Sequence, residues 1–106
     1  MRQISPKELH DWLQSGREPP LLLDVREPWE FNICRIDGAR PLPMRQIIAS
    51  LNDLNRGRET VVICHHGIRS QQVAQYLDHQ GFTGIINLRG GVAAWARDVD
   101  QSMPTY

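Results

Sequence analysis

The sequence predicts an α/β domain built on a parallel sheet, and three observations carry that prediction. Short apolar runs alternate along the chain with amphipathic stretches, the pattern of strands covered by helices. The run from Thr60 to Cys64 is apolar and mostly β-branched without a break, as a strand buried on both faces requires. Each run is separated from the next by a connection long enough to cross over, which parallel pairing needs and a hairpin does not.

The elements follow in order. Ser5-Pro6-Lys7-Glu8 supplies an N-cap, a proline at the first helical position and a glutamate three residues after the cap. Leu9, Trp12 and Leu13 then share one face, and the helix is expected to end at Gly16. Leu21, Leu22, Leu23 and Val25, interrupted only by Asp24 and bounded by Pro19-Pro20 and Pro28, read as a buried strand. Ala39 to Leu42 reads as a short edge piece, because Pro41 and Pro43 exclude a helix. Met44, Ile47, Ile48, Leu51 and Leu54 recur at helical spacing and predict a helix ending near Arg56-Gly57. After the strand at 60–64, Val73, Ala74, Tyr76 and Leu77 mark a helix from Ser70 to Gln80 that stops at Gly81. Ile85, Ile86 and Leu88 give one more strand, and Gly90-Gly91 precedes a short helix containing Trp95. The last segment is polar and aperiodic and contains Pro104, so a domain over 1–97 and a C-terminal tail over 98–106 are expected.

Composition narrows the function classes. At 106 residues the chain holds one core and, by expectation, one site. An apolar fraction of 41% with 23% charged residues belongs to a globular protein rather than a disordered one. Twelve basic residues balance twelve acidic ones, so no global field draws the chain to nucleic acid or to an anionic membrane. The apolar runs fall far below the roughly 20 residues of a membrane span. The opening MRQISPKELH has no apolar stretch of a secretory kind, so a cytoplasmic monomer is the expectation. Cys34 and Cys64 are expected to be reduced thiols, since a chain with this much apolar material needs no disulfide.

The informative segment is Cys64-His65-His66-Gly67-Ile68-Arg69-Ser70. It lies between a buried strand and a helix, so Cys64 sits at the carboxyl end of a strand, where open α/β sheets keep their ligand crevices. A short loop with a glycine can curl its N–H groups inward into an anion-binding nest, and the helix expected near Ser70 adds its positive end. A helix terminus alone offers an anion about 0.3 to 1 kcal/mol. Charge-assisted bonds from several amides and from the Arg69 guanidinium must supply the rest. Cys64 is therefore the candidate nucleophile and Arg69 an inward-facing clamp. His65, His66, Gly67, Ile68 and Ser70 are the candidate binding residues of the loop, with the two histidines at its rim, polar and partly cationic toward an anionic substrate. A metal site is not expected, because vicinal side chains in a curled loop diverge and tetrahedral zinc sites use spaced ligands.

Asp24 and Arg26 read as structural support, since a buried carboxylate needs partners. Cys34 lies in a polar stretch without cap or glycine and reads as an ordinary thiol. His10 and His79 are expected on helix surfaces, and Trp12, Trp29 and Trp95 in the core.

The loop resembles that of the rhodanese family, whose active loop runs Cys, two or more variable residues, Gly, a variable residue and Arg. The resemblance covers nearly the whole chain. Leu23-Asp24-Val25-Arg26-Glu27-Pro28-Trp29-Glu30-Phe31 with Ile36-Asp37-Gly38-Ala39 is similar to the family's first signature, and Leu88-Arg89-Gly90-Gly91 with Trp95 to its second. Cys34-Arg35 stands where the family commonly has Gly-His. The resemblance implies a five-stranded parallel sheet flanked by helices on both faces, the extra strand coming from around Ile4. It also implies sulfur transfer in two steps: Cys64 takes the outer sulfur of thiosulfate or another sulfane donor as a persulfide, and a thiophilic acceptor, cyanide or a thiol, removes it. No metal or organic cofactor is implied. Two alternatives stand beside it. One is a persulfide carrier or a non-catalytic rhodanese-like binding module serving a partner protein in sulfur-containing cofactor formation or tRNA thiolation. The other is a cysteine phosphatase or arsenate reductase, disfavoured because those resemble a loop with five residues between Cys and Arg, whereas His65 to Ile68 makes four.

Overall fold

Capping starts the first helix where the sequence placed it. In the computed structural model, which describes all residues 1–106, Ser5 Oγ accepts the Glu8 N–H at 3.2 Å and a Glu8 carboxylate oxygen accepts the Ser5 N–H at 2.9 Å. These two bonds satisfy donors that a helix start otherwise leaves orphaned. The chain then runs β1 (Arg2–Ile4), α1 (Pro6–Gln14), β2 (Leu21–Asp24), α2 (Pro28–Ile33), β3 (Arg40–Pro41), β4 (Thr60–Ile63), α3 (Ile68–His79), β5 (Ile85–Leu88) and α4 (Gly91–Asp98).

All five strands pair in parallel, in the order β1-β5-β4-β2-β3. β4 is central and buried along its whole length, which explains its unbroken apolar run. Alternate strand residues face two separate cores. Ile4, Leu22, Val61, Ile63, Ile86 and Leu88 pack against Leu9 and Trp12 of α1 and Val92 and Trp95 of α4. Leu23, Val25, Val62, Cys64 and Ile85 pack against Val73, Ala74 and Leu77 of α3. Helices thus cover both faces, as expected, and no helix is long and apolar enough to cross a membrane.

The structure departs from the expectations in four places. The helix predicted over Met44 to Leu54 is two separate 3₁₀ turns, Met44–Gln46 and Leu51–Asp53. Ile47 and Leu54 are buried while Ile48 is 71% exposed, so the spacing does not make one continuous face, and Asn52 and Asp53 are weak helix formers. Beyond the strand that Pro28 was expected to bound, the same proline opens α2, a helix the sequence reading did not place, where its missing N–H costs nothing. Trp29 lies on that helix, exposed instead of in the core. The segment expected as a tail folds back: Met103 is buried in the α1–α4 core, and Tyr106 lies against the Cys64 loop.

Candidate active site

Cys64 follows the last residue of β4 and is buried, 1% exposed. Its sulfur accepts the Gly67 N–H at 3.1 Å and lies 3.3 Å from Ser70 Oγ, to which the thiol donates. Gly67, at φ +96°, turns the chain straight into α3, which begins at Ile68 rather than near Ser70. The first-turn amides of Ile68, Arg69 and Ser70 have no carbonyl one turn back to bond. A sulfur anion at Cys64 therefore meets one fixed N–H donor and the positive end of a helix of 12 residues.

A second segment locks this loop from behind. Val92 N–H donates to the Cys64 carbonyl at 2.9 Å and Ala93 N–H to the His65 carbonyl at 3.0 Å. Such contact demands a residue without a side chain at Gly91: a Cβ there would stand 2.4 Å from both carbonyl oxygens. The Gly90-Gly91 pair and the Cys64 loop, remote in sequence, are thus two halves of one structure.

Behind the sulfur, Ser70 Oγ is hydrogen-bonded to Asn87 Oδ1, and Asn87 Nδ2 donates to the Gly67 carbonyl at 3.3 Å and to Gln3 Oε1 at 2.9 Å. Asn87 is 1% exposed. The sequence reading missed it, although a lone asparagine in the apolar run Ile85-Ile86-Asn87-Leu88 was the available signal.

Glu30 was missed as well. Arg69 does not stand open toward an incoming anion. Its two terminal nitrogens donate to the two Glu30 carboxylate oxygens at 2.7 and 2.8 Å, so it clamps the loop to α2 instead. Glu30, nearly fully buried, is held down to about 2 chiefly by those Arg69 bonds, against the opposing pull of burial. Arg69 in turn is held more firmly protonated than usual. The Tyr106 hydroxyl donates to Glu30 at 2.8 Å and accepts from Arg26 at 3.0 Å, and burial pushes it up to about 12. Arg26, fully buried, is gripped by Asp24 through three bonds of 2.8 to 3.1 Å and donates to the Cys34 carbonyl at 2.7 Å. The supporting role expected of Asp24 and Arg26 is thus bonding between β2 and the end of α2. Cys34 is a buried free thiol in that network, its sulfur 3.8 Å from an Arg26 nitrogen, rather than part of an open polar stretch.

The histidines differ from expectation in two respects. Their rings do not diverge: they stack at a centroid distance of 3.9 Å, and Tyr106 stacks on His65 at 3.9 Å and 13°. Burial, and secondarily His66, lower the His65 pKa, so His65 holds a proton less readily than a free imidazole. His66 and Ile68 are exposed at the mouth of the loop, while Gly67 and Ser70 are buried.

Residues 5–98 match the family model described as "Rhodanese-like domain". The chain belongs to the rhodanese-like family. It is 40% identical to thiosulfate sulfurtransferase GlpE of Shewanella oneidensis over 74 residues, 70% of this chain and 73% of GlpE. It is 39% identical over 105 residues to the probable adenylyltransferase/sulfurtransferase MoeZ of Mycobacterium tuberculosis, covering 97% of this chain but only 26% of MoeZ. The crystal structure of a rhodanese-like domain protein from Staphylococcus aureus superposes with a TM-score of 0.85 at 30% identity, covering 100% of this chain and 99% of that one. Both curated relatives carry sulfurtransferase in their names, and this chain spans only about a quarter of MoeZ.

Proposed function

We propose that this rhodanese-like chain moves a sulfane sulfur from thiosulfate or a related donor to a thiophilic acceptor through a persulfide on Cys64. One contact carries the reading: the Gly67 N–H on the Cys64 sulfur at 3.1 Å, at the mouth of α3. A hydrogen bond to a charged group contributes about 1.5–3 kcal/mol, and a partly buried helix terminus adds up to ~2 kcal/mol, both available to a sulfur anion formed at this position during transfer. In the first step the Cys64 thiolate attacks the outer sulfur of the donor. The new S–S bond forms as the old one breaks, and its electron pair leaves with sulfite. In the second step cyanide or a thiolate attacks the outer sulfur of the persulfide, and the Cys64 thiolate departs. Arg69 positions the loop through Glu30, and Ser70 takes the thiol hydrogen bond in the resting protein.

A persulfide carrier serving a partner protein in sulfur-containing cofactor formation or tRNA thiolation is the second reading. Trp29, 59% exposed, and Ile68, 70% exposed, favour it, because exposed apolar side chains beside a site suit a macromolecular acceptor. Intact-mass measurement tests the shared step. Incubation with a sulfane donor should add one sulfur to the protein, cyanide should remove it, and Cys64→Ser should take up none. Sulfur uptake by the serine protein would overturn the Cys64 assignment.

A further inference from the structure

Four buried or half-buried charges lie around the loop, and they cancel. Asp24 is bound to Arg26 and Glu30 to Arg69. Burial lowers the His65 pKa, and Tyr106 keeps its proton. The site therefore offers N–H donors without a net positive charge. Arg69 retains three N–H groups beyond the two used on Glu30, because a guanidinium carries five. A second negative charge entering the loop meets the Glu30 carboxylate with both arginines already paired.

From this geometry we infer that Glu30 is a specificity-determining residue, setting the site against the thiosulfate dianion and in favour of a persulfide carried on an organic thiol. The inference rests on the sulfur-transfer reading above and narrows its donor. A persulfide brings at most one charge on the end that enters the loop. Thiosulfate brings two, both close to the reacting sulfur. The surroundings agree: Trp29 precedes Glu30 and Ile68 precedes Arg69 in the chain, and both are exposed, so the two elements that the ion pair joins each present apolar surface to an organic body. The chemistry balances. The Cys64 thiolate attacks the terminal sulfur of R–S–S–H, the bond between the two donor sulfurs breaks, and its electron pair leaves on R–S⁻, which takes the proton released when the Cys64 persulfide ionises. Sulfane sulfur is passed on with no net oxidation.

The test compares kcat/KM for loading Cys64 from thiosulfate and from glutathione persulfide, with persulfidated serum albumin as a third arm to separate a small thiol from a protein cysteine as the source. Wild type should load faster from at least one persulfide than from thiosulfate. Glu30→Gln, which removes the charge but keeps the shape, should raise the ratio of thiosulfate to persulfide kcat/KM by about tenfold, mostly through a lower KM for thiosulfate, as expected for one charge removed at partly screened contact range. Glu30→Asp, which keeps the charge, should leave the ratio near wild type. The ratio is the readout because a purely structural loss lowers both donors together. An unchanged ratio in Glu30→Gln, or a wild type that prefers thiosulfate to both persulfides, would overturn the role of Glu30 while leaving sulfur transfer intact. A wild type that loads from none of the three donors would overturn the transfer function itself.

Discussion

Replacing Gly91 by alanine tests whether the Cys64 loop depends on the segment behind it. The new Cβ would stand 2.4 Å from the carbonyl oxygens of Cys64 and His65 and 2.6 Å from the His65 carbonyl carbon. These are backbone atoms, so no side-chain rotation relieves the overlap. The left-handed backbone at φ +61° adds about 1–2 kcal/mol for any residue with a Cβ. Overpacking costs about 1–3 kcal/mol. If the segments part, the Val92 and Ala93 bonds to the loop are lost as well, at about 1 kcal/mol each. The sum is about 4–7 kcal/mol, a large share of the roughly 5–15 kcal/mol that holds a domain of this size together. Gly16→Ala is the matched control, because Gly16 sits at φ +81° with nothing within 4 Å of its would-be Cβ and so carries the backbone cost alone. Urea unfolding of the three proteins measures both costs, and mass-detected sulfur uptake reports on the loop. Gly91→Ala should lose at least about 2 kcal/mol more than Gly16→Ala and load sulfur poorly even where it remains folded. Equal losses in the two variants would show that the close approach is not what holds the loop.

Two further outcomes follow from the Arg69–Glu30 pair. Arg69→Lys keeps the charge but cannot reproduce two parallel bonds to Glu30, so its sulfur-transfer rate should fall nearly as far as that of Arg69→Ala; near wild-type rates in the lysine protein would refute the clamp. The depressed Glu30 pKa is a stability contribution of about 2 kcal/mol, discounted for the partly exposed Arg69. Its sign follows from the direction of the shift: it is fully present above the ordinary glutamate pKa of about 4.3 and is lost as pH falls from there toward about 2. Urea midpoints at pH 5 and pH 3 should fall more steeply for wild type than for Glu30→Gln, and parallel falls would remove Glu30 from the acid response.

The elements legible in the sequence were those whose signal is local. The Ser5 capping box, the uniformly buried β4 and the Val73-Ala74-Leu77 face each declare themselves within a few residues, and the structure keeps them. The Met44 to Leu54 segment misled because periodicity records spacing and not what lies opposite, and nothing covers Ile48. In the site, Cys64 and Gly67 stood out because strand end, glycine and helix start are neighbours in the chain. Glu30, Asn87 and Tyr106 act across separations of 39, 17 and 76 residues, and no pattern within a window reveals such pairings. Only the register of the sheet, which sets β2 and β5 on either side of β4, brings them together.

The near-complete burial of Cys64 limits which sulfur compounds can reach it. With 1% of the residue exposed and the loop held from behind by α4, an attacking partner has to insert a tip and not a flank. Sulfane donors end in a bare sulfur. A disulfide such as oxidised glutathione has carbon on both sides of its S–S bond and presents no such tip. On the proposed chemistry, this enclosure would disfavour mixed-disulfide formation at the resting thiol. A persulfide formed on Cys64 as proposed would lengthen the side chain by an S–S bond of about 2.05 Å, setting its outer sulfur beyond the buried thiol that carries it.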